Sequence, residues 1–525
     1  MAAQAWSPAG RGARLRVDVT QVLADPKSAL TAVLDATPGW QDGASADAVV
    51  EQISGAMTNL VYRCSSATAR QNATVIVRVF GSGGKLFSQR DERNVFLLAS
   101  DLGLGPKCLV EYENGRVEEF LPGDNLSCDT LRQPDVSAAI AAAMARFHVR
   151  MLAGLTSLTL AQQQAQQPQQ QQAGASANGQ AERQQQAEQQ LRPAIYDRIR
   201  QWHAAAVECG ADLQAAGLAE LPQELDAIQA RLAALYPPWV AFCHNDLQYG
   251  NMLLMGAAPS SQPGGASPPG GRSAPAALRG GSPRAGDPVA ATLAAAAAVL
   301  GNGAAPSGGS MPHERPEGGS GLWVKLIDYE YSTLNDAAYD VANHFCEWAY
   351  NYHSDDAHVF KDDWLPSEAQ QLHYCRAYMA AMWQLLQAQR AAAADAQQQQ
   401  QQAGGEQAAG AAATAAVGDS TPPGKRQEAD AAPAAGAACS LPATIFSAVS
   451  DVSSSGSGRA EAAIEAAAQL LLAKARAHLP LVHVKWGLWG LIQDKVSDVD
   501  FNYLSYGQQR IDRYHASKRA LLADA

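Results

Sequence analysis

Three short apolar runs constrain this chain more than anything else in it. Ala241-Phe-Cys-His244 leads into Asn245-Asp-Leu-Gln-Tyr-Gly-Asn251, and Met252-Leu-Leu-Met255 leads out of it. Trp323-Val-Lys-Leu-Ile327 then ends in Asp328, followed by Tyr329-Glu-Tyr-Ser332. Runs this short, made of large apolar residues and bounded by polar ones, read as buried strands. The intervening residues 256–321 are mostly Gly, Pro, Ser and Ala. Such a segment can loop out between paired strands, because closure entropy grows only logarithmically with length. The fold must then bring together an acid, an amide five residues on, and a second acid that ends a strand.

That trio is the set of groups that phosphoryl transfer requires. One carboxylate takes a hydroxyl proton, and oxygen ligands hold magnesium on the nucleotide phosphates. Asp246 is the candidate base, Asn251 and Asp328 the candidate Mg²⁺ ligands, and Gln248 a contact to phosphate or substrate. His244 fits a brace for the loop better than an acid–base role. Protein kinases carry H-R-D-x-x-x-x-N and then D-F-G. Here the spacing is kept as H-N-D-x-x-x-x-N and then D-Y-E.

Upstream, Val49 to Cys64 reads as strand, turn, strand, with Ser54, Thr58 and Asn59 in a turn able to lie along phosphates. An ordinary hairpin is the plain alternative. Thr74-Val-Ile-Val-Arg-Val-Phe80 is a β-branched strand carrying a single cation, Arg78, whose fork suits phosphate oxygens. Glu92, early in the helix that follows, is the expected partner of Arg78; the bland reading is a first-turn carboxylate on a helix dipole. Glu113-Asn-Gly115 turns a second hairpin, whose outgoing strand carries Glu119 and Leu121 to where backbone groups could read an adenine edge.

Composition narrows the rest. Ala161–Gln190, Gly256–Gly321 and Ala388–Arg459 are low-complexity, with few large apolar side chains to offset chain entropy. What remains of the 525 residues suits one two-lobed unit rather than several domains. A net charge of −12 argues against a nucleic-acid partner. The eight cysteines show no C-x-x-C pair, which fits a reducing compartment and gives no zinc signature. No membrane span is expected. The N-terminus bears three arginines before Asp18 and no long apolar core, so it is not a secretory signal; a weak transit peptide is the alternative to a cytoplasmic location.

Substrate identity must come from the C-terminal part. Trp486 and Trp489 are neighbours on one face if their stretch is helical. With Tyr331, Tyr352, Phe501 and Tyr506 they could wall a cage for a quaternary ammonium, and Glu330 and Glu347 could add negative charge. Plain core packing is the competing explanation of a Trp-x-x-Trp stripe.

Outside the low-complexity segments, the chain from about Ile53 to Tyr514 resembles the choline/ethanolamine kinases. The blocks that carry the resemblance include Ser54-Gly-Ala-Met-Thr-Asn59, Val77-Arg-Val-Phe-Gly81, Cys243 to Asn251, Ile327-Asp-Tyr-Glu-Tyr-Ser332, Tyr339 to Trp348 and Trp486-Gly-Leu-Trp489. The resemblance implies an α+β, two-lobed protein-kinase-like fold with a small antiparallel-sheet N-lobe and a larger, mostly helical C-lobe. Residues 1–48 then form a lead-in, 49–123 the nucleotide-binding lobe, and 124–525 the catalytic and substrate-binding lobe with its low-complexity interruptions. It implies ATP and Mg²⁺ as cofactors, an amino alcohol as acceptor and, in many members, a homodimer. It also places Trp486, Trp489, Tyr352, Tyr506 and Glu347 at the amino-alcohol pocket. Two departures stand out: Glu119 replaces a common Gln, and Lys485 precedes the tryptophans where members are more apolar. The residues lean towards choline, with ethanolamine accepted. An aminoglycoside-type phosphotransferase would instead need an open acidic pocket. An inactive scaffold is disfavoured because every expected acid and amide is present. A protein kinase is disfavoured by the lack of an Ala-Pro-Glu block.

Overall fold

The computed structural model describes residues 15–55, 59–80, 89–165, 191–256, 322–415, 439–447, 457–497 and 499–523. Two short helices, α1 (Val19–Ala24) and α2 (Pro26–Asp35), lead in; Asp18 and Asp25 cap them by accepting backbone N–H groups. A five-stranded antiparallel sheet follows in the order β1-β2-β3-β5-β4. Its strands are β1 (Val49–Gly55), β2 (Asn59–Ser65), β3 (Thr74–Phe80), β4 (Cys108–Tyr112) and β5 (Gly115–Glu119). Helix α3 (Gln89–Asp101) lies between β3 and β4 in sequence.

Strand periodicity decides which side chains do what. In β3 the fully buried Val75, Val77 and Val79 face a core shared with Leu30, Val33, Leu34 and Trp40 of the lead-in. Ile76 and Arg78 alternate with them and so face the other way, into the cleft.

The C-lobe is built on α4 (Pro134–Ala165), α5 (Ile195–Glu208), α6 (Leu221–Leu235), α7 (Ala337–Glu347), α8 (Glu368–Ala415), α9 (Leu441–Ser447), α10 (Ser457–Val496) and α11 (Tyr503–Leu522). Residues 134–159 of α4 are long and apolar enough to cross a bilayer, but 67% of their most apolar window is buried in the protein, as in a core helix. Residues 370–390 belong to the long helix α8, and residues 461–478 and 481–493 to the single helix α10. Pro480 lies inside α10, which continues past it. The low-complexity segment Ala388–Arg459 carries the end of α8, all of α9 and the start of α10. Leu441, Ile445 and Phe446 are buried, and Phe446 meets Trp383 of α8 edge-on at 4.9 Å. A few large apolar residues in an Ala-rich stretch are enough to dock one short helix.

Small strands complete the lobe: β6 (Asp124–Asn125), β7 (Val240–Cys243), β8 (Met252–Met255), β9 (Trp323–Leu326) and β10 (Thr333–Asp336). β8 pairs antiparallel with β9, Met252 opposite Leu326 and Met255 opposite Trp323, so residues 257–321 enter and leave at one hairpin end. β7 pairs antiparallel with β10. The β7–β8 and β9–β10 connections are thereby held side by side, and they carry Asp246 and Asp328.

Helices α10 and α11 approach unusually closely. A Cβ at Gly490 would lie 2.7 Å from Gly507 Cα, so any side chain there would force them apart. That approach brings Trp489 of α10 to 5.6 Å from Tyr506 of α11, centroid to centroid.

Candidate active site

The lobes enclose a cavity of about 760 Å³. Asn59, Arg78, Glu119 and Leu121 line it from the N-lobe side. Asp246, Gln248, Asn251 and Asp328 line it from the two adjacent connections, as does Glu330. Tyr331, Glu347, Tyr352, Trp486, Trp489, Phe501 and Tyr506 close its far end. Ser54 sits in β1 at a bulge, opposite Val61, and Thr58 lies outside the described residues. Glu92 does not line the cavity.

The loop that carries Asp246 is held by one buried carboxylate that sequence reasoning did not single out. Asp340 of α7 accepts the backbone N–H of His244 and of Asn245, both at 2.8 Å. His148, fully buried on α4, bridges Asp340 (2.9 Å) and the Tyr378 hydroxyl (2.8 Å), so it is a packed helix histidine that acts as a strut. His244 Nε2 meets the Ile327 carbonyl at 3.0 Å and ties the loop to the strand that delivers Asp328. Asn245 and Asp328 both adopt left-handed backbone (φ 62° and 66°), a conformation non-glycine residues take up at some cost and mostly at functional sites.

Asn251 donates to the Asp246 carbonyl (2.8 Å) and carboxylate (3.0 Å). Its NH₂ is therefore spent, and its Oδ1 is the atom left to meet a cation; Gln248 Nε2 is 3.3 Å from that oxygen. With the Asp328 carboxylate this gives an all-oxygen donor set, the chemistry a hard divalent ion such as Mg²⁺ requires.

The expected Arg78–Glu92 pair does not form. Arg78 Nε binds Glu118 at 2.9 Å, and Glu92 receives both terminal nitrogens of Arg116 (2.8 and 2.9 Å). Arg116 Nε also reaches Glu118 at 2.7 Å, and its guanidinium lies 3.7 Å from the centre of the Phe96 ring. The reason is register: Arg116 is the β5 partner of Arg78, so two cations share one stretch of sheet and divide two carboxylates between them. At the hinge, the Glu119 N–H donates to the Lys107 carbonyl (2.9 Å) and its carboxylate accepts from the Lys107 N–H (3.2 Å).

At the aromatic end, Trp486 and Trp489 are nearly perpendicular with centroids 5.8 Å apart. The Trp486 indole N–H donates to Asn343 (2.7 Å) and that of Trp489 to the Tyr331 hydroxyl (3.2 Å), so each ring is fixed in orientation. Glu347 accepts from the Tyr352 hydroxyl (2.5 Å) and from Arg510 (2.8 Å), which is fully buried.

A family profile described as choline/ethanolamine kinase matches residues 50–515. The chain belongs to the choline/ethanolamine kinase family. It is 24% identical over 479 residues to probable choline kinase 1 of Arabidopsis thaliana, covering 90% of this chain and 88% of that one. It is 22% identical over 501 residues to the human choline/ethanolamine kinase, covering 90% and 80%. Among solved structures, a choline kinase from Cryptosporidium parvum superposes with a TM-score of 0.53 at 17% identity, over 95% of this chain and 97% of that one. That likeness bears on the fold, which is the protein-kinase-like one.

The electrostatics of this kinase are lopsided. Burial pushes Asp246 well above the ordinary carboxylate range, and Glu347 and Asp328 push it further against the pull of Lys485 and Asn251. Glu330 is likewise raised well above its ordinary value by burial, then by Asp328 and Asp246. Asp328 is raised by burial despite Arg78 nearby. Several carboxylates that disfavour one another's ionisation are suited to a site completed by bound cations.

Some cavity residues were missed from sequence. Ile76, Phe120, Leu253 and Ile327 give the cavity an apolar lining beside Arg78 and Glu119. Ile76 was within reach, since it stands two residues from Arg78 on a strand. Arg116 and Asp340 carried no local signal.

Proposed function

We propose that this kinase transfers the γ-phosphoryl group of ATP to the hydroxyl of choline, and also accepts ethanolamine. The observation that supports the reading most is that both tryptophans and three tyrosines share one cavity with Asp246 and Asp328. Aromatic walls attract a trimethylammonium group, which has no N–H to satisfy. A primary ammonium gains less from rings and needs acceptors.

ATP would lie in the cleft with its base against Ile76, Phe120 and Leu253, near the hinge at Glu119 and Leu121, and its phosphates towards Arg78 and Asn59. Mg²⁺ would be held by Asn251 Oδ1 and the Asp328 carboxylate, and would neutralise charge on the phosphates. The ammonium head against the rings leaves the substrate hydroxyl directed at Asp246. Asp246 accepts the hydroxyl proton as the oxygen–phosphorus bond forms, while the bond to the ADP oxygen breaks. The Asp340 brace keeps that carboxylate in place. The product, phosphocholine or phosphoethanolamine, is a phospholipid head-group precursor, and a cytoplasmic location belongs to the same reading.

The test is ATP-dependent phosphorylation of choline and ethanolamine, side by side, with purified protein. The expected result is turnover of both with a higher kcat/KM for choline. Turnover of ethanolamine alone would overturn the preference, and turnover of neither would overturn the substrate class.

A further inference from the structure

Lys485 stands immediately before Trp486 on α10 and is 2% exposed. It does not line the main cavity. It lines a small cleft behind it, together with Arg198, Asn245, Glu330 and Tyr331. Its ammonium donates to the Asn245 carbonyl at 3.0 Å. It also sits over the Trp486 ring at 4.1 Å, the Tyr331 ring at 4.9 Å and the Trp202 ring at 5.5 Å, measured to the centroids. Trp486 and Tyr331 are at the same time walls of the main cavity.

We propose that Lys485 sets how tightly this kinase holds a cationic acceptor, because its ammonium occupies the same two aromatic rings from behind that would receive the substrate's ammonium from in front. Rings attract cations through their electron-rich faces. A cation already resting on Trp486 and Tyr331 draws on that attraction and repels a second positive charge across the wall. The inference rests on the reading that this wall receives the ammonium head.

The charge on Lys485 is adjustable. Burial lowers its pKa to about 7, against the opposing pull of Asp246, with Arg198 lowering it and Asp340 and Glu347 raising it further. Glu330 faces it across the small cleft. The competing charge is therefore present in mild acid and absent in mild alkali. Choline carries a fixed charge, so its own ionisation does not confuse the measurement.

The experiment measures Kd by calorimetry for choline and for its uncharged carbon isostere, 3,3-dimethylbutan-1-ol, between about pH 6 and 8.5. Four proteins are compared: wild type, Lys485→Met, which keeps the length and apolar stem, Lys485→Arg and Trp486→Leu. On this proposal Lys485→Met binds choline about three- to tenfold more tightly than wild type at pH 6. The gain narrows towards pH 8.5, and the uncharged isostere shows none of it. Lys485→Arg, which stays charged throughout, holds choline weakly across the whole range. Trp486→Leu weakens choline. Equal shifts for choline and its isostere in Lys485→Met would show a packing effect and overturn the proposal. If Trp486→Leu weakens choline and Lys485→Met does not tighten it, this inference falls and the pocket assignment stands. If Trp486→Leu leaves choline unchanged, the pocket assignment falls and takes the inference with it.

Discussion

The two ends of the cavity treat charge in opposite ways. At the N-lobe end, the buried Arg116, Glu92 and Glu118 interlock with the half-buried Arg78. Both arginines are held protonated by their carboxylates against the cost of burial, and Glu118 is held below its ordinary pKa. At the C-lobe end, Asp246, Asp328 and Glu330 are half-buried in the cavity wall, and desolvation raises the carboxyl pKa of all three. One end is electrically complete as folded. The other reaches its working charge state with cations present. The difference teaches which residues serve the scaffold and which serve the reaction. Arg116, Glu92 and Glu118 lock the N-lobe end together, so a change among them should unfold, while Arg78 belongs both to that cluster and to the cleft it faces. A change at the second end should inactivate.

The sharpest break of that comparison is at the reacting acids. Asp246→Asn and Asp328→Ala should each lower kcat by about 10⁴-fold in steady-state assays. Neither should lower the Tm, because each removes one of several carboxylates that repel. A large loss of Tm with either would erase the distinction between the two ends. Arg116→Met should do the reverse. It strands Glu92 without its bidentate partner, so chemical denaturation should report a loss of about 3–5 kcal/mol. Trp489→Leu should raise the KM for choline by about tenfold with little change in the KM for ATP.

The smallest effect is in pH. Raised carboxyl pKa values mean that the ligand-free fold prefers the protonated groups. The stability they lend is full below the ordinary carboxylate range near pH 4 and is lost as pH rises through their elevated values. The Tm of the ligand-free enzyme should therefore decline from mildly acidic to neutral pH, and Asp246→Asn should flatten the decline. Glu118, Asp336 and Asp340 have lowered values, and their contribution is lost only as pH falls. A Tm that climbs steadily over this window would contradict the charge assignment at the C-lobe end.

Much of this was legible before any coordinates. The spacing from Asp246 to Asn251 and the strand ending in Asp328 already marked the acids and the amide that line the C-lobe end of the cavity, because short-range spacing and apolar runs are local signals. The aromatic wall was legible as a list of residues. Partner choice was not. Arg78 and Arg116 are far apart in sequence and adjacent only through the β3–β5 register, so nothing local says which takes Glu92. Asp340 reads as one polar residue in an aromatic helix; only packing turns it towards the loop. Lys485 read only as a cation next to the tryptophans, and sequence does not say on which side of them it lies. The helix sets it behind the wall, with its ammonium on the Asn245 carbonyl.

The β8–β9 hairpin has a consequence for engineering. Met255 and Trp323 face each other across one ladder rung, so whatever lies between Gly256 and Leu322 hangs from two anchor points a few ångströms apart. Cargo with closely spaced ends, such as a reporter domain, could be spliced into that doorway in place of the native segment without prising the reacting acids apart.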